Sequence, residues 1–205
     1  MLRAVSVSLA LSLLGATAAV SLPAFADQVA TPSGAPDTPD TKVQQISQLV
    51  EQGWGLIGQH KNAEALPLLE QARDLAGDPA EPSPVTAYVL KALGNAYANT
   101  GQFDKAETAD LRAYAIEQAV FGADDPRVIE STANMGILYA EMNQPAKAEP
   151  YLVKALDIID AKMGPDSPQA SYALKLLGAI HDKMGRTADA KAEFDHAAAI
   201  DAKQK

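Results

Sequence analysis

Along this chain the apolar and polar positions give almost no strand signal, and runs of alternating β-branched residues do not occur. Ala, Leu, Lys, Glu and Gln are abundant, so the sequence predicts an almost wholly helical, all-α protein. A second pattern lies over the first. Shifting the chain by 42 positions aligns "LGNAYANTGQFDKAE" from Leu93 with "MGILYAEMNQPAKAE" from Met135 and "LGAIHDKMGRTADAK" from Leu177. Gly94, Gly136 and Gly178 coincide, as do Tyr97, Tyr139 and His181, then Ala106, Ala148 and Ala190, then Ala113, Ala155 and Ala197. Upstream, Gly53, Ala65 and Ala72 keep the same mutual spacing at an offset of 41, a degenerate fourth copy.

Each unit reads as two helices broken at Gly101, Asn143 or Gly185, residues that accept a left-handed helix end. A glycine inside a helix costs about 1 kcal/mol relative to alanine, so three at one register require close helix contact, here expected against Ala106 and Ala113 and their counterparts. The pentamers "GADDP" (Gly122–Pro126) and "GPDSP" (Gly164–Pro168), with the weaker "AEPSP" ending at Pro84, recur on the same ruler. Their acids suggest a metal loop, but the spacing lacks the D-x-D-x-D-G-x₅-E pattern that wraps calcium. Asp125, Ser167 and Ser83 each precede a proline and are expected to cap helix starts, with proline at the first helical position.

This arrangement of glycine, aromatic and alanine positions resembles a tetratricopeptide repeat, and the 42-residue period resembles its kinesin-light-chain-type variant. "ALGNAYANTGQFDKAE", "GADDPRV", "ILYAEMNQPAKAEPYLVKALDI" and "GPDSPQA" carry the likeness, from about Ser83 to the end. It implies a right-handed superhelical stack of antiparallel helix pairs, with three clear repeats and one degenerate repeat before them. His181 replaces an aromatic and Asp110 replaces a large apolar residue of the family pattern. The resemblance also implies that a concave groove, lined by the first helix of each unit, receives a protein or peptide partner. Carried over residue by residue, its lining is Tyr88, Lys91, Asn95 and Asn99, then Glu130, Asn134 and Glu141, then Tyr172, Lys175, Asp182 and Lys183. Lys91, Asn95 and Asn134 resemble part of a carboxylate clamp for a peptide C-terminus, although Tyr172 and Leu176 stand where its further basic residues belong.

The N-terminus adds an address. One basic residue, Arg3, is followed by an uncharged, mostly apolar run to Val20 and by Ala24-Phe25-Ala26, the layout of a secretory signal peptide over residues 1–26. Cleavage after Ala26 leaves 179 of the 205 residues, and since Arg3 is the only charge removed, the net charge moves from −9 to −10. Residues 27–40, "DQVATPSGAPDTPD", read as a flexible leader, and 41–205 as one repeat domain. The expected location is periplasmic or secreted, with no stable membrane span after cleavage. The acidic balance and the lack of a Lys/Arg cluster weigh against nucleic acid. Without cysteine, packing alone must hold the fold.

No phosphate loop, dinucleotide turn, G-x-S-x-G or H-E-x-x-H is present, and His60, His181 and His196 lack partners at zinc-ligand spacing, so no cofactor, metal or catalytic site is expected. Trp54 reads as a packing residue at the end of the stack rather than a binding anchor. The function expected is therefore an exported scaffold or adaptor in cell-envelope assembly or a periplasmic complex. One alternative is a self-associating subunit, a homodimer through the C-terminal helix, whose Ala198, Ala199 and Ile200 lack a polar capping helix. The other is an enzyme accessory or ligand-binding subunit using Glu130, Glu141 and Asp182. Protein purified from its source is predicted to begin at Asp27, and N-terminal sequencing that finds Met1 instead would overturn the signal assignment.

Overall fold

The computed structural model describes residues 39–77 and 82–204; the signal segment and most of the leader lie outside the described residues. Eight α-helices follow one another there: α1 (Pro39–Gly58), α2 (Asn62–Ala76), α3 (Pro84–Asn99), α4 (Phe103–Phe121), α5 (Ile129–Glu141), α6 (Pro145–Met163), α7 (Pro168–Lys183) and α8 (Thr187–Lys203). They pair as four hairpins, α1/α2 to α7/α8, and the second helix of each hairpin packs on the first helix of the next. No described helix is long and apolar enough to cross a membrane.

The hairpin turns are built alike. Gly101, Asn143 and Gly185 sit at φ of 76°, 57° and 75°, and His60 occupies the corresponding place of the first hairpin at φ 60°. That assigns a structural place to His60, and its 41-residue offset from Gly101 was the available signal. In every turn one N–H reaches back over the helix end to the same carbonyl: Lys61 to Leu56 at 2.9 Å, and Gln102 to Tyr97, Gln144 to Tyr139 and Arg186 to His181 at 2.8 Å. Left-handed residues permit this 6→1 closure, which satisfies otherwise orphaned carbonyls.

Helix starts differ more than the recurring pentamers suggest. Ser167 caps α7 as expected, accepting the Ala170 N–H at 3.1 Å. Asp125 accepts the Arg127 N–H at 2.9 Å, but Pro126–Val128 form a 3-10 turn and α5 begins only at Ile129. Ser83 is extended and is followed by Pro84, yet its side chain makes no capping bond.

The alanine pairs Ala65/Ala72, Ala106/Ala113, Ala148/Ala155 and Ala190/Ala197 are all at most 2% exposed. The register glycines do not simply meet these alanines. A Cβ on Gly53, Gly94, Gly136 or Gly178 would collide with Leu69, Asp110, Leu152 or Phe194, each 16 residues further on. The glycine thus opens a slot for a large side chain of the second helix, flanked by the two alanines. On α8, Ala197 and Ile200 are fully buried against α5, α6 and α7, so Ile200 needs no partner surface, while Ala198 and Ala199 are exposed.

Two glycine substitutions are predicted to move in opposite directions. Gly136→Ala places a methyl 2.6 Å from the buried Leu152 side chain, and should destabilise by about 1–3 kcal/mol through overpacking. Gly55→Ala, helical and with nothing within 4 Å, should stabilise by about 1 kcal/mol. Denaturant titration of both variants checks the pair.

Candidate partner-binding face

Hydrogen bonds that cross from hairpin to hairpin set the relation of the first helices. Tyr97 Oη donates to Glu70 and Tyr139 Oη to Glu107, each at 2.8 Å. At the same register His181 Nε2 lies 3.0 Å from Glu149, which also accepts from Arg186, and its Nδ1 lies 2.8 Å from Glu193. His181 is 5% exposed, and its ring reproduces the tyrosine's bond to the preceding hairpin. The departure from an aromatic is thereby accommodated.

Lys91 occupies the centre of a different crossing. Its Nζ lies 3.0 Å from Glu117 on α4 and 3.0 Å from Glu130 on α5, so one ammonium ties three helices and two hairpins. Burial pulls this ammonium down, but the Glu130 and Glu117 carboxylates together outweigh it and hold its pKa above the usual lysine value. At 8% exposure with two carboxylates of its own chain, Lys91 is a structural bridge rather than a clamp arm waiting for a peptide carboxylate. Sequence reasoning missed Glu117. The signal was there, because Lys175 and Asp201 repeat the pair at twice the 42-residue period, 2.6 Å apart and half-exposed. The intervening hairpin has Ala133 and Ile159 at those places, both buried.

Beside Lys91, Asp110 stands where Leu69, Leu152 and Phe194 fill the slots of the other hairpins. It is 6% exposed, its carboxyl packs on Gly94, and its Oδ1 has no hydrogen-bond partner.

The remaining groove residues divide into three kinds. Asn95 and Asn134 are 3% and 6% exposed; Asn95 Oδ1 accepts from Asn99 at 2.7 Å, while Asn95 Nδ2 and Asn134 Oδ1 are buried without partners. Tyr172 Oη is likewise unpartnered, and burial pushes its pKa up to about 12. Tyr88 is half-buried, hydrogen-bonded to Trp54, and raised by burial and by Glu51; Trp54 itself packs on the apolar core of the first two hairpins. Glu141 is half-buried and pushed up to about 7 by desolvation, against the pull of Lys183, whose Nζ donates to the Ala140 carbonyl at 3.2 Å. Lys175, Asp182 and Lys183 are exposed.

Glu130 and Glu141 do not form an acid–base pair. Eleven residues apart on α5, they are separated by about 16 Å along the axis, and Glu130 is bound to Lys91. A depression of about 380 Å³ lies elsewhere, at the α3–α4 turn, lined by Gly101, Gln102, Phe103, Asp104 and Lys105.

Residues 85–161 match the sequence model of the tetratricopeptide-repeat family. The fold is shared with a kinesin light chain of Podosopora anserina described as having nearly identical TPR-like repeats. A substituted form of it aligns with a TM-score of 0.69 at 18% identity over 89% of this chain and 82% of that one. A second crystal structure of that protein gives 0.67 at 18% identity over 90% and 83%. BtubC (BKLC) of P. vanneervenii aligns at 0.50 and 16% identity over 82% and 93%. No curated protein matches the sequence. At such identities the likeness is one of fold: an all-helical, TPR-like solenoid of paired antiparallel helices.

Lys91→Ala is predicted to cost about 3–5 kcal/mol, because it leaves buried Glu117 uncompensated. The double variant Lys91→Ala with Glu117→Ile copies the apolar pair of the next hairpin and should recover most of that loss, measured by chemical denaturation.

Proposed function

We propose that this protein is a non-catalytic interaction scaffold that holds an extended segment of a partner protein against the first helices of its hairpins. One observation carries the reading. Asn95 Nδ2, Asn134 Oδ1 and Tyr172 Oη are unpartnered polar atoms on α3, α5 and α7, one on each of three successive hairpins. Reduced to one repeat, their positions fall at intervals of four and three residues, on a single helical face, so across the stack they form an oblique track. Buried polar groups cost free energy until bonded, and a peptide main chain offers the donors and acceptors such a track lacks.

The signal-peptide layout of residues 1–26 supports a partner in the periplasm or outside the cell, and with it a role in cell-envelope assembly or a periplasmic complex. The acidic surface favours a protein partner over nucleic acid.

The test is cross-linked capture of partners from the source by full-length tagged protein. Asn95→Ala with Asn134→Ala removes two bonds of about 0.5–1.5 kcal/mol each, so capture of a specific partner should fall about tenfold with the melting temperature nearly unchanged. Unchanged capture of every partner would sink the assignment of these asparagines.

A further inference from the structure

We propose that Asp110 is a proton-operated latch in the joint between α3/α4 and α5/α6: as the neutral acid it fills an apolar slot, and on ionising it loosens the Lys91 bridge across that joint.

The slot comes first. Leu69, Leu152 and Phe194 occupy it in the other three hairpins, each over a register glycine. Asp110 lies in the same slot over Gly94 at 6% exposure, with Oδ1 unpartnered. A neutral carboxyl is tolerated there, whereas a carboxylate is desolvated. The charge count points the same way. From α3 the group facing Asp110 is Lys91; from α5 it is Glu130; on its own helix Glu117 lies two turns along. Arg127 of the 3-10 turn points away, paired with Asp125 at 2.8 Å and lying 3.8 Å over the Phe121 ring. Lys91 is thus the one cation among these groups, and it already serves two carboxylates. An ionised Asp110 adds a third, which competes with Glu117 and Glu130 for the same ammonium.

Burial pushes the Asp110 pKa up to about 8; Lys91 opposes this and Glu130 adds to it. The folded chain therefore holds this proton more tightly than the unfolded chain, whose aspartate has the ordinary value of 3.8. The neutral acid carries no penalty below that value. Between it and about 8 stability falls as pH rises, and above about 8 the loss is complete.

The experiment compares thermal unfolding of the full chain at pH 6 and pH 9 for wild type and Asp110→Asn. The wild-type melting temperature should fall across this interval by several degrees more than that of Asp110→Asn. Glu141→Gln, which removes the other half-buried acid with a raised pKa, should keep the Asp110 part of the fall. Equal falls for wild type and Asp110→Asn overturn the proposal. A carboxyl-carbon NMR titration of Asp110 in wild-type protein tests it even if the variant does not fold. A midpoint above pH 6 supports the latch, and one at or below pH 6 overturns it. Amide exchange on the same samples should quicken from pH 6 to 9 in α3, α4 and α5, beyond the intrinsic pH effect and more than in α7 and α8. A uniform change across all helices overturns the assignment to this joint.

Discussion

The slot between the two helices of each hairpin is the constraint on which the solenoid depends. A glycine on the first helix and two alanines on the second leave room for one side chain of the second helix, taken by Leu69, Asp110, Leu152 or Phe194 in the four hairpins. Four hairpins obey this rule at nearly constant spacing, so each presents the same surface to its neighbour. Stacking then follows as repetition of one interface. With no cysteine in the chain, nothing covalent supports the stack.

Polar residues enter this scheme at defined crossings. Tyr97, Tyr139 and His181 each reach a glutamate of the preceding hairpin, which fixes the relative placement of units whose apolar contacts alone are non-directional. Lys91 makes a charged version of the same tie, joining the buried Glu117 to the partly exposed Glu130. Such a bridge contributes little net stability compared with a well-packed apolar pair, and one repeat on the buried Ala133 and Ile159 stand in its place. Its consequence is electrostatic. It makes the joint between the second and third hairpins sensitive to any further charge, and Asp110 is the residue placed to supply one.

The candidate site was legible in the sequence only in part. The 42-residue register brought Asn95, Asn134 and Tyr172 onto first helices, and the structure leaves one polar atom of each without a partner. The same register could not show that Lys91 is already engaged. Its partners lie 26 and 39 residues away on two other helices, and only packing brings them within 3.0 Å. Ile200 illustrates the same limit in reverse. Its place near the chain end suggested an uncovered face, but the turn of α8 directs it inward to full burial.

What the sequence determined by itself was periodic: the all-helical class, the hairpin unit, its left-handed turns and the repeat length. Those features rest on local backbone preferences and on spacing, both of which are written along one dimension. The tertiary structure decided what each register position touches. Gly94 meets Asp110 rather than alanine, Asp125 opens a 3-10 turn before α5, and Lys91 faces inward to Glu117. Burial and charge are properties of neighbours in space, so the ionisation behaviour of Asp110 and Glu141 was decided only when the hairpins closed around them.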